Sequence, residues 1–391
     1  MDSIEEIKSK LDIIDLIREY AQLSQAGGNF RARCPFHEEK TPSFMVSRAK
    51  QMWYCFGGCN EGGDIFKFVM KQEGMEFGEA LRFLAQKAGV VLQERDPRIQ
   101  GQKVRLQDLM AAATNYYQQA LERAPQVEHA RLYLATRITD PALIDEFGIG
   151  ASLPDPSALS DYLLSKKYTA NEIMQAGLAL QKERGYGLLD RFRNRVMIPI
   201  KDMHGNVIGF GGRQLEEGQG AKYINSPQTF LYDKSAVLYN LDMAKHAIRT
   251  EDRAIIVEGY MDVFAVWGSG MKNVVASSGT ALTVQQIRLL SRFTKHVFFS
   301  FDSDAAGVAA TQRGIDLALH EGMDVRIIVQ AYKDPDECIK ADREEWRRSV
   351  ENAVPFIQFR MDTVLIPDAM NDAYKKKEAV RHILQSITLL P

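Results

Sequence analysis

Three predominantly apolar runs between residues 254 and 329 each hand over to carboxylates, and this arrangement limits the fold more than any other part of the chain. Ala254, Ile255, Ile256 and Val257 lead to Glu258, with Asp262 shortly after. Val297, Phe298, Phe299, Ser300 and Phe301 lead to Asp302 and Asp304, and Val325, Arg326, Ile327, Ile328 and Val329 lead to Asp334 and Asp336. Runs of this length, separated by helix-length segments, predict a parallel sheet covered on both faces. A further run ending at Ala276, with Gly279 at its exit, reads as another strand, and a helix is expected over residues 282–293. In such sheets ligands sit beyond the carboxyl ends of the strands, where all of these acids fall. Carboxylates gathered at one edge repel, and a hard divalent cation that prefers oxygen ligands and shares phosphate oxygens relieves the repulsion. The stretch therefore reads as a metal site for phosphoryl or nucleotidyl chemistry.

The 391-residue chain is long enough for two or three domains, and 45% hydrophobic with 26% charged residues describes an ordinary globular protein. No apolar run approaches membrane-spanning length, the acidic first residues are unlike a secretory signal, and a cytoplasmic location with no membrane partner is expected. The net charge is only −2, so any nucleic-acid binding has to come from a local basic patch. Of four cysteines, Cys34, Cys55 and Cys59 cluster near the N-terminus, whereas Cys338 stands alone and reads as an ordinary thiol.

That N-terminal cluster reads as a zinc site. Ile4, Ile7, Leu11 and Ile14 predict an opening amphipathic helix. Cys34 with His37 and Cys55 with Cys59 then form two close-set ligand pairs separated by aromatic-rich strand material, the pattern of a ribbon folded around tetrahedral zinc. Arg31, Arg33, Lys40, Arg48 and Lys50 flank the pairs, with Trp53, Tyr54 and Phe56 among them. Such a surface could stack single-stranded bases, or the rings could form the core of a small domain. A second helical stretch begins near residue 64, with Phe68, Phe77, Leu81 and Leu84 as packing residues.

Polar residues 96–104, with Pro97 and Gly101, predict a linker, and helices are expected over residues 106–123, 127–136 and 140–147. Two apolar-rich arms about His204, Gly205 and Asn206 read as a hairpin. Arg191, Arg193 and Arg195 alternate before it, which in a strand would put three guanidinium groups on one face, suited to phosphate. Lys222, Tyr223, Asn225 and Lys234 extend this basic surface, and Gly211 and Gly212 allow close backbone approach before Arg213. From residue 343 onward the pattern is helical.

A lone Glu after one strand and a later Asp-x-Asp-x-x-Gly, as at Glu258, Asp302, Asp304 and Gly307, resembles the Toprim domain of topoisomerases, certain nucleases and DnaG-type primases. The Cys-Pro-x-His beginning at Cys34 resembles the zinc-binding domain of those primases, although Cys55 and Cys59 are one residue further apart than is usual there. The Asp-Arg-Phe-Arg-x-Arg run from Asp190, the Gly-Gly-Arg ending at Arg213 and the Lys-Tyr-x-Asn-Ser-Pro run from Lys222 resemble the basic motifs of the family's RNA polymerase domain.

The resemblance spans nearly the whole chain. It implies an α/β multidomain protein: a zinc-ribbon domain (1–95), a linker (96–104), a mixed α+β basic subdomain (105–250), a Toprim parallel-sheet subdomain (251–342) and a helical segment (343–391). Cys34, His37, Cys55 and Cys59 would hold one structural zinc. Glu258, Asp302 and Asp304 would be catalytic, and with Asp262, Asp334 and Asp336 would hold magnesium or manganese, Glu258 serving as ligand or as base. Arg191, Arg193, Arg213, Lys222, Tyr223, Asn225 and Lys234 would bind template and nucleotide phosphates.

The implied activity is a DNA-directed RNA primase, a monomer acting at the bacterial replication fork on single-stranded DNA and ribonucleoside triphosphates. The C-terminal module through which such primases engage the replicative helicase is expected to lie outside a chain that stops at Pro391. A Toprim strand-cleaving enzyme and a non-enzymatic single-stranded DNA adaptor are the alternatives.

Overall fold

The structure, a computed structural model, describes residues 3–37, 39–75, 77–90, 97–182, 186–215, 221–279, 281–300 and 305–364, with Lys377 and Arg381. It divides into two compact units, Met1–Gln100 and Gly101–Pro391. Among the described residues no helix is long and apolar enough to cross a membrane.

The first unit opens on two helices, Ser3–Lys10 and Ile13–Arg18, where the apolar spacing predicts one. Asp12 breaks the run: its backbone is extended and its carboxylate accepts from the Ile14 N–H, capping the second helix. Five antiparallel strands follow, β1 (Ser24–Ala26), β2 (Asn29–Ala32), β3 (Phe44–Ser47), β4 (Met52–Cys55) and β5 (Gly62–Gly63), adjacent in chain order. Strand alternation in β4 buries Trp53 and Cys55 and leaves Met52 and Tyr54 outside. Trp53 stacks on Phe44 and meets the edge of Phe68 from the helix Ile65–Glu73. A second helix, Phe77–Ala88, completes this core. Phe68 and Leu84 are buried as expected, but Phe77 remains 43% exposed.

The segment expected as a linker is helical from Pro97 onward. Pro97 opens the long helix Pro97–Arg123, at the helix start where a missing N–H costs nothing. An antiparallel sheet packs on that helix, built from β6 (Gly150–Ser152) and, after the small hairpin β7 (Ala179–Gln181) and β8 (Leu188–Asp190), β9 (Arg195–Lys201), β10 (Val207–Gln214) and β11 (Tyr223–Asn225). Its order is β11-β10-β9-β6, and β9 with β10 form the expected hairpin about Gly205.

The acidic region forms a second sheet: β12 (Ala254–Val257), β13 (Val274–Ala276), β14 (His296–Ser300), β15 (Asp324–Ile328) and β16 (Val354–Pro355). The order is β13-β12-β14-β15-β16, with the first four parallel and β16 antiparallel at the edge. Because β13 lies on one side of β12 and β14 on the other, the chain reverses its direction of travel at β12, the place where such sheets open a ligand crevice. Helices Tyr260–Gly268, Val284–Leu290, Ala305–His320 and Pro335–Ala341 connect and cover the strands. The expected C-terminal helices appear as Arg343–Glu351 and Phe356–Val364; apart from Lys377 and Arg381 the rest lies outside the described residues.

The two sheets share one apolar core, and one close contact sets their spacing near the acids. The Tyr260 ring lies on the bare face of Gly211 in β10, so closely that a Cβ there would come within 2.7 Å of the ring. Its hydroxyl donates to Asn225 Oδ1 at 2.8 Å, and Asn225 Nδ2 donates to the Ser278 carbonyl at 2.9 Å. Gly211→Ala is expected to lower unfolding free energy by about 1–3 kcal/mol, the usual cost of overpacking. Denaturant unfolding of wild type and variant measures it, and equal midpoints would show that the sheets do not meet here.

Candidate functional site

The Cys34, Cys55 and Cys59 sulfurs and a His37 ring nitrogen all lie within 4.8 Å of one another. Cys34 Sγ is 3.6 Å from Cys59 Sγ, and His37 Nδ1 is 3.1 Å from Cys59 Sγ and 3.9 Å from Cys55 Sγ. Tetrahedral zinc bond lengths require about 3.8 Å between sulfurs and about 3.6 Å between sulfur and nitrogen, so the donor set fits that ion. The extra residue between Cys55 and Cys59 leaves the ligands together. Burial pushes the Cys34 thiol up, so the metal has to displace a tightly held proton there.

Glu39, which the sequence reading passed over, organises the knuckle. Its carboxylate accepts from Cys34 N at 2.7 Å, Ser43 N at 3.0 Å and Ser43 Oγ at 2.5 Å. Oε2 also lies 3.3 Å from His37 Nε2, a nitrogen that the Gly58 N–H reaches at 3.1 Å. Although desolvation opposes it, the hydrogen bonds from Ser43 hold the Glu39 carboxyl below its usual range.

The ambiguity over the aromatic rings resolves by strand alternation. Trp53 is core, whereas Tyr54 and Phe56 stand outside with centroids 4.7 Å apart, and Phe56 is 71% exposed. Register places Arg31 opposite Met45 and Met45 opposite Tyr54, so cation and ring share the outer face. Gly62 makes room for the Tyr54 ring, which a Cβ would meet at 2.5 Å.

In the second unit Glu258 follows β12 directly, and its carbonyl accepts from the Ser278 N–H at 3.2 Å. Asp262 is buried on the next helix and accepts from the Gly259 N–H at 3.1 Å. Asp334 caps the helix Pro335–Ala341 by accepting from Glu337 N at 2.8 Å. Asp336, 2% exposed, meets Arg137 Nη2 at 2.7 Å and Lys340 Nζ at 3.1 Å. Asp302 and Asp304 lie outside the described residues.

Facing these acids is a cationic wall that includes Arg137, absent from the sequence reading because nothing near it is basic enough to mark a motif. Against the burial that disfavours its charge, Asp336 holds the Arg137 guanidinium above its ordinary range. Arg213 lies 3.7 Å from the Tyr133 ring centroid, and burial raises the neighbouring Tyr223 hydroxyl. Among the described residues the buried Nε atoms of Arg137, Arg191 and Arg213 have no acceptor, which suits an anionic ligand. Lys222 is exposed and Lys234 half-buried, with burial lowering the Lys234 ammonium. Asn225 spends both ends of its amide on Tyr260 and Ser278.

The arginines of the Asp190 run do not form a one-faced row. Strand β8 ends at Asp190, β9 begins at Arg195, and residues 191–194 turn between them, with Asn194 at φ 52°. Phe192 points into the core, Arg193 is exposed, and Arg195, 7% exposed, donates to the Gly212 and Ala221 carbonyls at 3.0 and 3.1 Å. Two clamps hold this turn. Asp190 accepts from Leu159 N at 2.7 Å, Ser160 N at 3.0 Å and Ser160 Oγ, capping the helix Ala158–Ser165. At the other end His129 Nε2 donates to Asn194 Oδ1 at 2.6 Å.

A Cys₃His ribbon, a basic antiparallel sheet and a parallel sheet with acids beyond its strand ends define a zinc-ribbon protein with a Toprim-type core. Comparison with known families agrees: residues 1–100 match the CHC2 zinc finger, 116–245 the DNA primase catalytic core N-terminal domain, and 255–339 a Toprim-like domain. The Aquifex aeolicus primase, solved as its zinc-binding and RNA polymerase domains, is 35% identical, covers 100% of this chain and 95% of its own, and superposes with a TM-score of 0.65. A DnaG primase catalytic domain solved bound to single-stranded DNA is 32% identical, over 74% of this chain and 92% of that one, with a TM-score of 0.64. A DNA primase of Clostridium acetobutylicum is 38% identical over 99% of this chain, which spans 64% of that relative's length. The chain belongs to the DnaG-type primase family.

Glu39→Gln is expected to weaken zinc binding about 10- to 100-fold, as loss of an outer-shell partner that orients the ligands does. Competition with a chromogenic chelator measures it, and unchanged affinity would remove Glu39 from the centre. Burial raises Asp190 above the usual carboxylate range. An acid with a raised folded-state pKa binds more protons folded than unfolded, so stability falls as pH climbs from the ordinary value through the raised one. Urea unfolding across that interval is expected to show this fall in wild type and a flatter profile in Asp190→Asn.

Proposed function

We propose that the chain carries the template-directed RNA primer synthesis of its family, joining ribonucleotides on single-stranded DNA. The observation that carries this reading is the pairing of a carboxylate-bearing sheet edge with an arginine-rich wall, held together by Tyr260, Gly211 and Asn225. In this arrangement Arg137 and Arg213 take phosphate oxygens through the donors left unpaired in their guanidinium groups. Tyr133 keeps Arg213 in place, while Arg191 and Arg193 present charge from the clamped turn to the template backbone.

Glu258, Asp262, Asp334 and Asp336, with Asp302 and Asp304, offer only hard oxygen donors, which fit magnesium or manganese and not a soft metal. Such an ion, when bound, supplies charge neutralisation on the transferring phosphoryl group and activation of the attacking hydroxyl. Glu258 stands either as a ligand or as the acceptor of that hydroxyl's proton. The outer face of the zinc ribbon, with Arg31, Tyr54 and Phe56, offers stacking and charge to unpaired template bases. The same resemblance supports a place at the bacterial replication fork and contact with the replicative helicase through a further module.

Incubation with a single-stranded template, ribonucleoside triphosphates and magnesium or manganese is expected to yield short RNA. Asp304→Ala and Glu258→Gln should each cut that yield by about 10²- to 10³-fold, the scale of losing a charge-stabilising group. Undiminished product from Asp304→Ala would remove it from catalysis. Template cleavage without ribonucleotides would favour a strand-cleaving enzyme, and binding without incorporation would favour an adaptor.

A further inference from the structure

Lys234 is half-buried, yet little satisfies its ammonium. Among the described residues Nζ reaches only the Gly279 carbonyl, at 3.5 Å, a long bond for a charged donor. The backbone beneath it is held far more completely. Asp233 Oδ1 accepts from Ser235 N at 2.9 Å and so starts the short turn Lys234–Ala236. The carbonyls of Lys234, Ser235 and Val237 are each taken by a donor from the start of the helix Val284–Leu290. Gln286 Nε2 donates to Lys234 O at 3.1 Å and to Val237 O at 2.7 Å, and Thr283 Oγ1 donates to Ser235 O at 2.5 Å.

These donors are surplus to the helix itself. Thr283 and Gln286 form a capping box, in which Thr283 Oγ1 accepts from Gln286 N at 3.1 Å and Gln286 Oε1 accepts from Thr283 N at 3.0 Å. Capping uses only acceptors, so a carboxylate at this position would serve as well. Gln286 is instead a wholly buried amide that spends both of its N–H groups on the turn below Lys234. The same connection leaves β13 through Ser278 at φ 55° and Gly279 at φ 83°, a sharp exit that persists only where neighbours hold it. One of those neighbours is Glu258, whose carbonyl accepts from Ser278 N at 3.2 Å. The connection after β13 therefore touches Lys234 at its tip and at its base, and it is tied to the acidic strand end. We propose that Gln286, assisted by Thr283, is a positioning residue that fixes the Lys234 backbone so that the ammonium meets a substrate phosphate at a set distance from Glu258. The proposal rests on the reading that Lys234 binds phosphate during primer synthesis, and adds to it the residues that aim the lysine.

The test is a double-mutant cycle on the full zinc-loaded chain, read as affinity for a fluorescent ATP analogue with magnesium and, separately, for a fluorescent thymidine oligomer. Gln286→Met keeps the side-chain length and removes both donors. It is expected to weaken binding about tenfold with Lys234 present and less than about twofold in Lys234→Gln, since residues acting through one another are not additive. Should Gln286→Met fold poorly, Thr283→Val at its half-buried position runs the same cycle, with a smaller loss that again vanishes in Lys234→Gln. A loss toward the ATP analogue places the phosphate on the incoming nucleotide, and one toward the oligomer places it on the template; either supports the role if it disappears without the lysine. Unchanged binding by Gln286→Met, or equal losses in both backgrounds, overturns it, because a merely structural residue weakens binding whether or not Lys234 is there. Wild-type affinity of Lys234→Gln for both probes, or no binding of either by wild type, overturns the underlying reading instead, and neither result involves Gln286.

Discussion

The Tyr260 ring on Gly211 is the contact on which the catalytic half depends. Carboxylates at a strand edge are of little use until something cationic is held at a fixed distance, and the apolar core that the two sheets share does not by itself set that distance. Tyr260 helps to set it because it starts the helix that follows Glu258 and Gly259, so whatever seats its ring also seats the acidic strand end. A buried tyrosine needs a partner for its hydroxyl, and Asn225 provides it while its other end ties down Ser278 beside Glu258. Asn225 thus acts on the geometry of the site, with its amide already spent.

The zinc ribbon solves a similar problem on a smaller scale. Its sheet is too small to set four ligands by apolar packing alone, and Glu39 does much of the setting by binding Cys34 and Ser43 at once beside His37. The inner face is closed by Phe44, Trp53 and Phe68, which frees the outer face to carry exposed rings. Exposing Tyr54 and Phe56 costs apolar hydration, so their placement on one side with Arg31 is better accounted for by a ligand than by folding.

Much of this was legible in the chain. The apolar runs fixed the parallel strands to within a residue or two because burial on both faces leaves no polar alternation. The ligand spacing foretold the zinc knuckle because short loops leave paired ligands few alternatives. What failed depended on single backbone angles or distant partners. The arginine row assumed that residues 191–195 were extended, and Asn194 in the left-handed region turned Arg195 into the protein. Asp12 split an apolar period that looked continuous. Glu39 and Arg137 carried no motif, since each is defined by contacts with residues far along the chain or across a loop.

Asp336 shows why the cationic wall and the acids have to be considered together. A carboxylate this deeply buried is costly unless charge and hydrogen bonds are returned to it, and Arg137 and Lys340 return both. The compensation is incomplete on the arginine side, because Arg137 keeps a buried Nε with no acceptor. An entering phosphate that accepts from that donor would complete the guanidinium without breaking its bond to Asp336. Under the proposed function the same group would neutralise both an acid of the sheet edge and a phosphate of the substrate, lowering the repulsion that the carboxylates alone would impose on an anionic reactant.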